Sequence, residues 1–384
     1  FWRGALKRAL ALAGVAGVTL GLAAAAEPAC EPPPLPEAPP GPHFGLAPET
    51  HNRLPSFSYA EPVVGTTYFY WYDVGSNAHI IDDDFTDALT THPADMDGLS
   101  YKRSGWHKTQ LEDMMDAGID LLMPVFWGVP GQYGGWSFAG LPPLVAAHDA
   151  LVAEDRAPPA IGLFYDTTIL KANGYNADGT DYHVDLGTEF GQRWFYTAMR
   201  DFFSMIPPRK WARVDGRPVV FLYGGGFAKA QAPGQFEAVR RWFEEDFGRK
   251  PYLVKMRDWQ GETAATYQWG GAVSLQLDAH VAALGPGYDH SAVPGRKPLV
   301  VDRRHGRTYA NRWLSLLRFN PRRRPWMVHL ETWNEWHEGT DIAHSREYGR
   351  AYIVLTRMFA DMWHAGDHLS PVGPYVAASA VRWT

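Results

Sequence analysis

Eight apolar runs of strand length alternate with helical patterns along most of this 384-residue chain, and no other feature constrains the fold as strongly. In the helical pattern 189–205, for example, Phe195, Met199 and Phe202 recur three and four residues apart. Strands that alternate with helices form parallel sheets, and eight strands in one unit favour an α/β fold, a single-domain (β/α)8 TIM barrel. The predicted strands span residues 64–72, 119–127, 160–166, 218–223, 252–258, 264–269, 280–285 and 326–333, and the predicted helices span 106–117, 144–154, 189–205, 236–247, 308–319 and 346–364.

The start of the chain predicts export. Residues 1–26 begin with positive charges, continue as an uncharged apolar run and end in small residues, which is typical of a secretory signal peptide. An uncleaved N-terminal anchor stays open because the apolar run is long enough to span a membrane. Cys30 leaves a lipoprotein open, although Glu27 stands where a lipoprotein signal has an aliphatic residue. Residues 27–58 predict a Pro-rich spacer, residues 59–384 the folded domain, and the expected location is secreted or periplasmic.

The composition excludes several partners. The net charge is −6 and the sequence pI about 6.2, so the chain lacks the excess of basic residues that is typical of nucleic-acid-binding proteins. No membrane contact beyond the N-terminus is expected. A single cysteine excludes an intrachain disulfide and a cysteine-based metal site. The 15 histidines show no His-Glu-x-x-His spacing, and the segment 176–181 is similar to part of a calcium loop without its final glutamate. We expect a monomer with no metal and no other cofactor.

The densest group of polar residues follows the last predicted strand. If strand alternation continues to its end, His329, Glu331, Trp333 and Glu335 face the barrel lumen and Val328, Leu330 and Thr332 face the helices. Glu338 follows in the loop above the barrel mouth, where TIM-barrel enzymes build their active sites. Two carboxyl groups at such a mouth can act as the acid and the base or nucleophile that cleave a glycosidic bond. The alternative is a buried, purely structural hydrogen-bonded network.

The ends of the other predicted strands also carry aromatic and acidic residues. Such side chains form a cup suited to a polyhydroxylated ligand, because sugar rings stack on aromatic faces. The candidate catalytic residues are therefore Glu335 and Glu338, and the candidate carbohydrate-binding residues are Tyr70, Trp71, Tyr72, Trp127, Asp166, Trp269, Tyr288, Asp289, Trp333, Asn334 and His337.

The run Asn334-Glu335-Trp336-His337-Glu338-Gly339-Thr340 resembles the signature of glycoside hydrolase family 99, the endo-α-mannosidases. The aromatic ends of the first two strands also resemble that family, although Phe69 and Tyr70 replace its Tyr-Pro before Trp71. Segments 285–296 and 331–352 are still more similar to a related group of bacterial barrel proteins of unknown specificity, and the likeness spans about residues 60 to 366.

This resemblance implies a division of roles between the two glutamates. Glu335 would be the base that takes the proton of the sugar 2-hydroxyl, giving a 1,2-anhydro intermediate, and Glu338 would be the general acid/base. An α-mannoside becomes the first substrate to consider. Two other functions stay open from the residues themselves: a non-catalytic carbohydrate-binding barrel, and an accessory protein of polysaccharide biosynthesis. The spacing of the two glutamates and the export signal favour the hydrolase.

Overall fold

Parallel strands surround a common core in the computed structural model, which describes residues 34–171, 183–320 and 322–369. Each of the eight predicted strand runs coincides with a parallel strand that ends before the predicted run does. The strands are β1 (Val63–Tyr68), β2 (Leu121–Phe126), β3 (Ala160–Ile161), β4 (Leu163–Tyr165), β5 (Arg213–Val214), β6 (Arg217–Leu222), β7 (Tyr252–Met256), β8 (Ala265–Tyr267), β9 (Gln276–Leu277), β10 (Val281–Leu284), β11 (Tyr288–Asp289), β12 (Val300–Val301) and β13 (Met327–Leu330).

The main sheet is a nearly closed barrel. Its strand order is β8-β7-β6-β4-β2-β1-β13-β10-β9, with parallel pairing from β8 to β10 and short antiparallel additions at β5 and β9. The two ends, β8 and β10, approach to within 8 Å between Cα atoms. No ladder joins them in the described part of the chain, but Thr266 of β8 donates a hydrogen bond to Asp278, beside β9, at 2.7 Å. The predicted parallel, barrel-like sheet is therefore confirmed; it is nearly closed, with a side-chain hydrogen bond in place of a ladder at the seam.

Helices cover the outside of the sheet where connections are long enough. All six predicted helices are present: Ser104–Ala117, Leu141–Ala153, Glu189–Met205, Gln235–Phe247, Arg307–Leu317 and Ala351–His364. Two shorter α-helices, Pro48–Asn52 and Trp136–Ala139, and three 3₁₀ turns, Thr167–Leu170, Pro208–Lys210 and Gly225–Phe227, complete the helical elements of the described residues. The strand–helix repeat is incomplete, because the connections from β7 to β8 and from β8 to β10 contain no helix. The first of these, 257–264, is shorter than the dozen or so residues of an ordinary parallel crossover.

The described part of the predicted spacer packs against the barrel. Arg200, which is 7% exposed, donates hydrogen bonds to the carbonyl oxygens of Pro36 and Glu37, each at 3.1 Å. Further along, the backbone N–H of Gly41 donates to the hydroxyl of Ser204 at 3.0 Å. Residues 34–58 are therefore part of the folded unit. Residues 1–33, with the predicted signal peptide, lie outside the described residues, and among those described no helix is both long and apolar enough to cross a membrane.

Candidate active site

A cavity of about 780 Å³ opens at the C-terminal ends of the parallel strands. Residues that directly follow β1, β4, β6 and β13 line it, and Trp269 joins them two residues after β8, as expected for a TIM-like barrel. Seven predicted site residues meet in its wall: Trp71, Asp166, Trp269, Tyr288, Glu335, His337 and Glu338.

The loop that carries both glutamates is closed on itself. The backbone N–H of Thr332 donates to the carbonyl of Thr340 at 3.0 Å, and the two threonine hydroxyls are 2.9 Å apart. The Thr332 hydroxyl also accepts the backbone N–H of Glu335 at 2.8 Å. Asn334 fixes the loop to the end of β1, because its amide accepts from the N–H of Phe69 at 2.8 Å and donates to the carbonyl of Phe69 at 2.7 Å. Glu335 therefore has little freedom to move.

Glu335 is paired with a histidine of the same motif. It is 4% exposed, and its Oε1 lies 2.7 Å from His337 Nδ1. Burial raises the pKa of Glu335, while the neighbouring His337 lowers it in part. The other ring nitrogen of His337, Nε2, donates to the carbonyl of His79 at 2.9 Å. The second carboxylate oxygen of Glu335, Oε2, has no hydrogen-bond partner among the described residues, so an acceptor remains in the cavity wall.

Glu338 is held by an arginine from a different loop. Arg296 donates to Glu338 Oε1 and, at 3.3 Å, to the hydroxyl of Tyr288. The backbone carbonyl of Glu338 accepts the N–H of Asp289 at 2.9 Å. The Glu338 side chain is 20% exposed, more than that of Glu335. The guanidinium of Arg296 occupies Oε1 of this carboxyl group, so a ligand that binds Oε1 must displace it.

A third carboxyl group, Glu331, lines the same cavity. It is 1% exposed and accepts the backbone N–H groups of Gly270 at 2.9 Å and Ala272 at 3.4 Å. Burial raises the pKa of Glu331 to about 8, although these N–H groups lower it in part. The nearby His329 is fully buried, and burial lowers its pKa to about 3, so it provides no positive charge at neutral pH.

Thr332 and Trp333, which follow β13, point in the opposite directions from those that the sequence predicts. Thr332, predicted to face the helices, lines the cavity. Trp333, predicted to face the lumen, is fully buried and donates from Nε1 to Gln110 in the helix Ser104–Ala117 at 2.8 Å. The prediction is wrong for this pair because β13 ends at Leu330, after which strand alternation no longer applies.

Five other predicted binding residues lie outside the cavity wall. Tyr70 is fully buried and donates to the carbonyl of Ser137 at 2.6 Å, while Phe69 and Trp71 on either side line the cavity. Trp127 donates from Nε1 to Thr168, a wall residue, at 2.8 Å. Tyr72 and Asn334 support the loop 332–340 from behind, and the Asp289 carboxylate accepts the N–H of Ser291 within a turn.

The structure also brings residues to the cavity that the sequence analysis did not select. His79 stacks on Trp71, with ring centroids 4.5 Å apart and planes at 3°. Arg296 and His79 belong to loops far from the motif in sequence, and nothing in their local pattern distinguishes them from surface residues. Glu331 and Tyr223 did leave a signal, because both stand at the end of an apolar strand.

The described residues contain no group of three or more His, Cys, Asp or Glu side chains that could hold a metal ion. The calcium-like segment 176–181 lies outside the described residues.

Comparison with known proteins gives a family and a fold. Residues 59–371 match the family described as "Domain of unknown function (DUF5010)". No curated protein matches the sequence. Two structures of the family 99 endo-α-mannosidase from Bacteroides thetaiotaomicron, one in complex with bis-tris-propane, are similar, each with a TM-score of 0.57. They are 13% and 14% identical and cover 80% and 79% of this chain and 98% of their own.

A glycoside hydrolase-like protein is also similar, with a TM-score of 0.53 at 15% identity over 82% of this chain and 99% of its own. The predicted resemblance to family 99 is thereby confirmed at the level of the fold.

Proposed function

The chain belongs to the DUF5010 family, and we propose that it is a glycoside hydrolase whose catalytic pair is Glu335 and Glu338, carried on a barrel of the (β/α)8 type. One observation carries the proposal: the two carboxyl groups of one short loop line a single cavity that aromatic side chains also line. Two likenesses to the family 99 endo-α-mannosidases support it. The fold is similar to theirs, and the loop with both glutamates carries the motif that resembles their signature.

The two environments suit different roles. Glu335 is rigid, buried and next to His337, so it can take a proton or attack as an anion. Glu338 is more exposed and is released when Arg296 turns away, so it can protonate the oxygen of the departing sugar and later take a proton from the attacking water. In the complete reaction one water is consumed and one C1–O bond is broken. By the family resemblance, Glu335 would act through the 2-hydroxyl.

α-Mannosides are the first substrates to test, because the similar solved structures are named as endo-α-mannosidases. We further propose that the protein acts outside the cytoplasm, on the basis of the signal-like residues 1–26.

The direct test is a screen of aryl glycosides and of bacterial, fungal and plant polysaccharides, with products separated by chromatography. Release of new reducing ends by the native protein, and its loss in Glu335→Gln, is the expected result.

The second candidate is a non-catalytic carbohydrate-binding barrel, which the same aromatic wall favours. Binding of a glycan without any product, in the wild type, would support that candidate and overturn the hydrolase.

A further inference from the structure

Only some of the carboxyl groups in the cavity wall have a basic side chain beside them. Glu335 has His337 beside it, and Glu338 has Arg296. Of the other carboxyl groups that line the cavity, Asp166 and Glu331 make no ion pair with a lysine or arginine among the described residues. Both are built into the wall, because Glu331 is 1% exposed and Asp166 is half-buried.

The partners of these two carboxyl groups are neutral donors. Asp166 accepts the backbone N–H of Thr168 at 3.1 Å and its hydroxyl at 2.7 Å, and burial raises the pKa of Asp166. Glu331 accepts only backbone N–H groups, from Gly270 and Ala272. Arg312 lies behind the same turn, but its hydrogen bonds go to the carbonyl oxygens of residues 272, 273 and 285. Burial therefore favours the protonated form of both groups in the free protein, and a bound cation would favour their ionised form.

Two aromatic rings line the same cavity as the two carboxyl groups. Tyr223 and Trp269 both line the cavity, with ring centroids 5.4 Å apart in an edge-to-face arrangement. Burial raises the pKa of Tyr223, and the charges of Asp166, Glu338 and Glu331 raise it further, so three carboxyl groups act on this one side chain. Carboxylates combined with aromatic faces are the usual protein environment for an organic ammonium ion.

A second observation points to a ligand that donates hydrogen bonds. Oε2 of Glu335, in a residue that is 96% buried, has no partner among the described residues and belongs to the wall of the same cavity. A metal ion is a poorer explanation of the charges, because no three His, Cys, Asp or Glu side chains among the described residues are grouped to hold one.

We propose that the substrate contains a sugar unit with a free amino group, such as an N-unsubstituted hexosamine, whose ammonium ion is bound by Asp166 and Glu331 beside Tyr223 and Trp269. The inference rests on the proposed hydrolase function and specifies its substrate class. An ammonium ion supplies both the positive charge and the hydrogen-bond donors that this part of the wall lacks. An N-acetylated unit supplies one neutral donor and a bulky acyl group, and a neutral hexose supplies hydroxyl groups without charge.

The test compares matched oligosaccharides. N-unsubstituted and N-acetylated oligomers of glucosamine and of galactosamine, with α-mannosides as neutral substrates, are incubated with the full chain, and kcat/KM is measured from the products. We expect an N-unsubstituted oligomer to be cleaved at least about tenfold better than its N-acetylated partner, which is the factor for one charge-assisted hydrogen bond. Glu331→Gln and Asp166→Asn should each reduce this ratio by about tenfold, whereas Glu154→Gln, an exposed charge change, should leave it unaltered.

Each outcome separates the two proposals. Equal or better cleavage of N-acetylated or neutral glycans, with a ratio that neither variant changes, overturns the amino-sugar inference and leaves the hydrolase intact. If no glycan is cleaved, calorimetric binding of the same oligomers to the wild type decides the inference alone: a preference for the N-unsubstituted oligomer supports it, and no preference overturns it. A preference that disappears with EDTA and returns with calcium would assign the carboxyl groups to a metal and also overturn it.

Discussion

His337 contacts Glu335 through one ring nitrogen and a backbone carbonyl through the other. Nδ1 lies 2.7 Å from Glu335 Oε1, and Nε2 lies 2.9 Å from the carbonyl oxygen of His79. A carbonyl only accepts, so Nε2 carries a proton, and a further proton must lie between Nδ1 and the carboxylate. Burial opposes the charged imidazole, but Glu335 and the His79 carbonyl raise the pKa of His337. The two side chains therefore share one proton, and each favours the charged form of the other.

Replacing His337 should change the pH dependence of activity. In His337→Gln the positive charge that lowers the pKa of Glu335 is lost, so the acid limb of the kcat/KM profile should move to higher pH. We expect kcat to fall by about 10- to 100-fold, the effect of losing one charge-assisted hydrogen bond at the base. His364→Gln, at an exposed His–Asp pair outside the cavity, serves as the control. A lower kcat with an unmoved acid limb would mean that His337 only supports the loop.

The two glutamates should differ in their response to the leaving group. Glu338→Gln should slow natural glycans by about 10²–10⁴-fold and activated aryl glycosides far less, because an activated aryl group leaves without protonation. Glu335→Gln should slow both kinds of substrate alike. Steady-state rates on the two substrates, with folding checked by circular dichroism, give the result. If both variants stay within about threefold of the wild type on the native substrate, where loss of an acid or base costs far more, the assignment is wrong.

How far the sequence could predict this site depends on where regular structure ends. Every parallel strand is visible as an apolar run, and the lumen position of His329 follows from the alternation of β13, which Glu331 continues for one residue beyond the strand. Beyond Leu330 the backbone no longer alternates, so Thr332 and Trp333 were placed on the wrong faces. A period of two describes a strand and gives no information about a loop.

The same limit explains the residues that were missed. The wall needs His79 and Arg296, which reach the motif across more than 40 residues of sequence and whose positions depend on tertiary contacts of their loops. Asn334 illustrates the converse: it belongs to the motif, yet both groups of its amide bind the backbone of Phe69, so it supports the fold of the site. The sequence motif does not distinguish the residues that line the cavity from those that hold the loop in place, whereas the structure does.

Stability should depend on pH through Glu331. Burial raises its pKa from 4.5 to about 8. Between these values the folded protein keeps a proton that the unfolded chain has released, so this contribution is fully present below pH 4.5 and is lost as the pH rises through 8. The free energy of unfolding of the wild type should therefore fall relative to that of Glu331→Gln, by at most about 1.4 kcal/mol per pH unit.

Urea unfolding of both proteins between pH 4.5 and 8 measures this difference. Both proteins contain the buried histidines, such as His79 and His329, so the comparison removes their contribution to the pH dependence. The lowered pKa values of these histidines make stability rise with pH below about 6.5. Glu154→Gln, at an exposed position, should follow the wild type at every pH. Parallel curves for the wild type and Glu331→Gln would show that Glu331 is ionised in the folded protein across this range.

The segment 34–58 should contribute to stability, in contrast to the free spacer that its proline content predicts. It provides the carbonyl oxygens that bind the buried Arg200, and Leu35, Leu46 and Phe57 pack against the core. Deleting residues 1–58 should lower the free energy of unfolding by about 2–5 kcal/mol, because apolar area is exposed and a buried guanidinium loses acceptors. Deletion of residues 1–33, which keeps these contacts, is the matched control.

A single substitution isolates the docking of this segment from the loss of chain. A Cβ atom added at Gly41 would overlap the backbone of Ser204 and Met205, so Gly41→Ala should displace the segment and reproduce part of the destabilisation. Residues 34–58 do not line the cavity, so both altered proteins should keep the wild-type kcat at temperatures where they remain folded. Urea midpoints equal to that of the control deletion would show that the segment is a spacer after all. A lower kcat with an unchanged urea midpoint would instead show that this segment affects the active site.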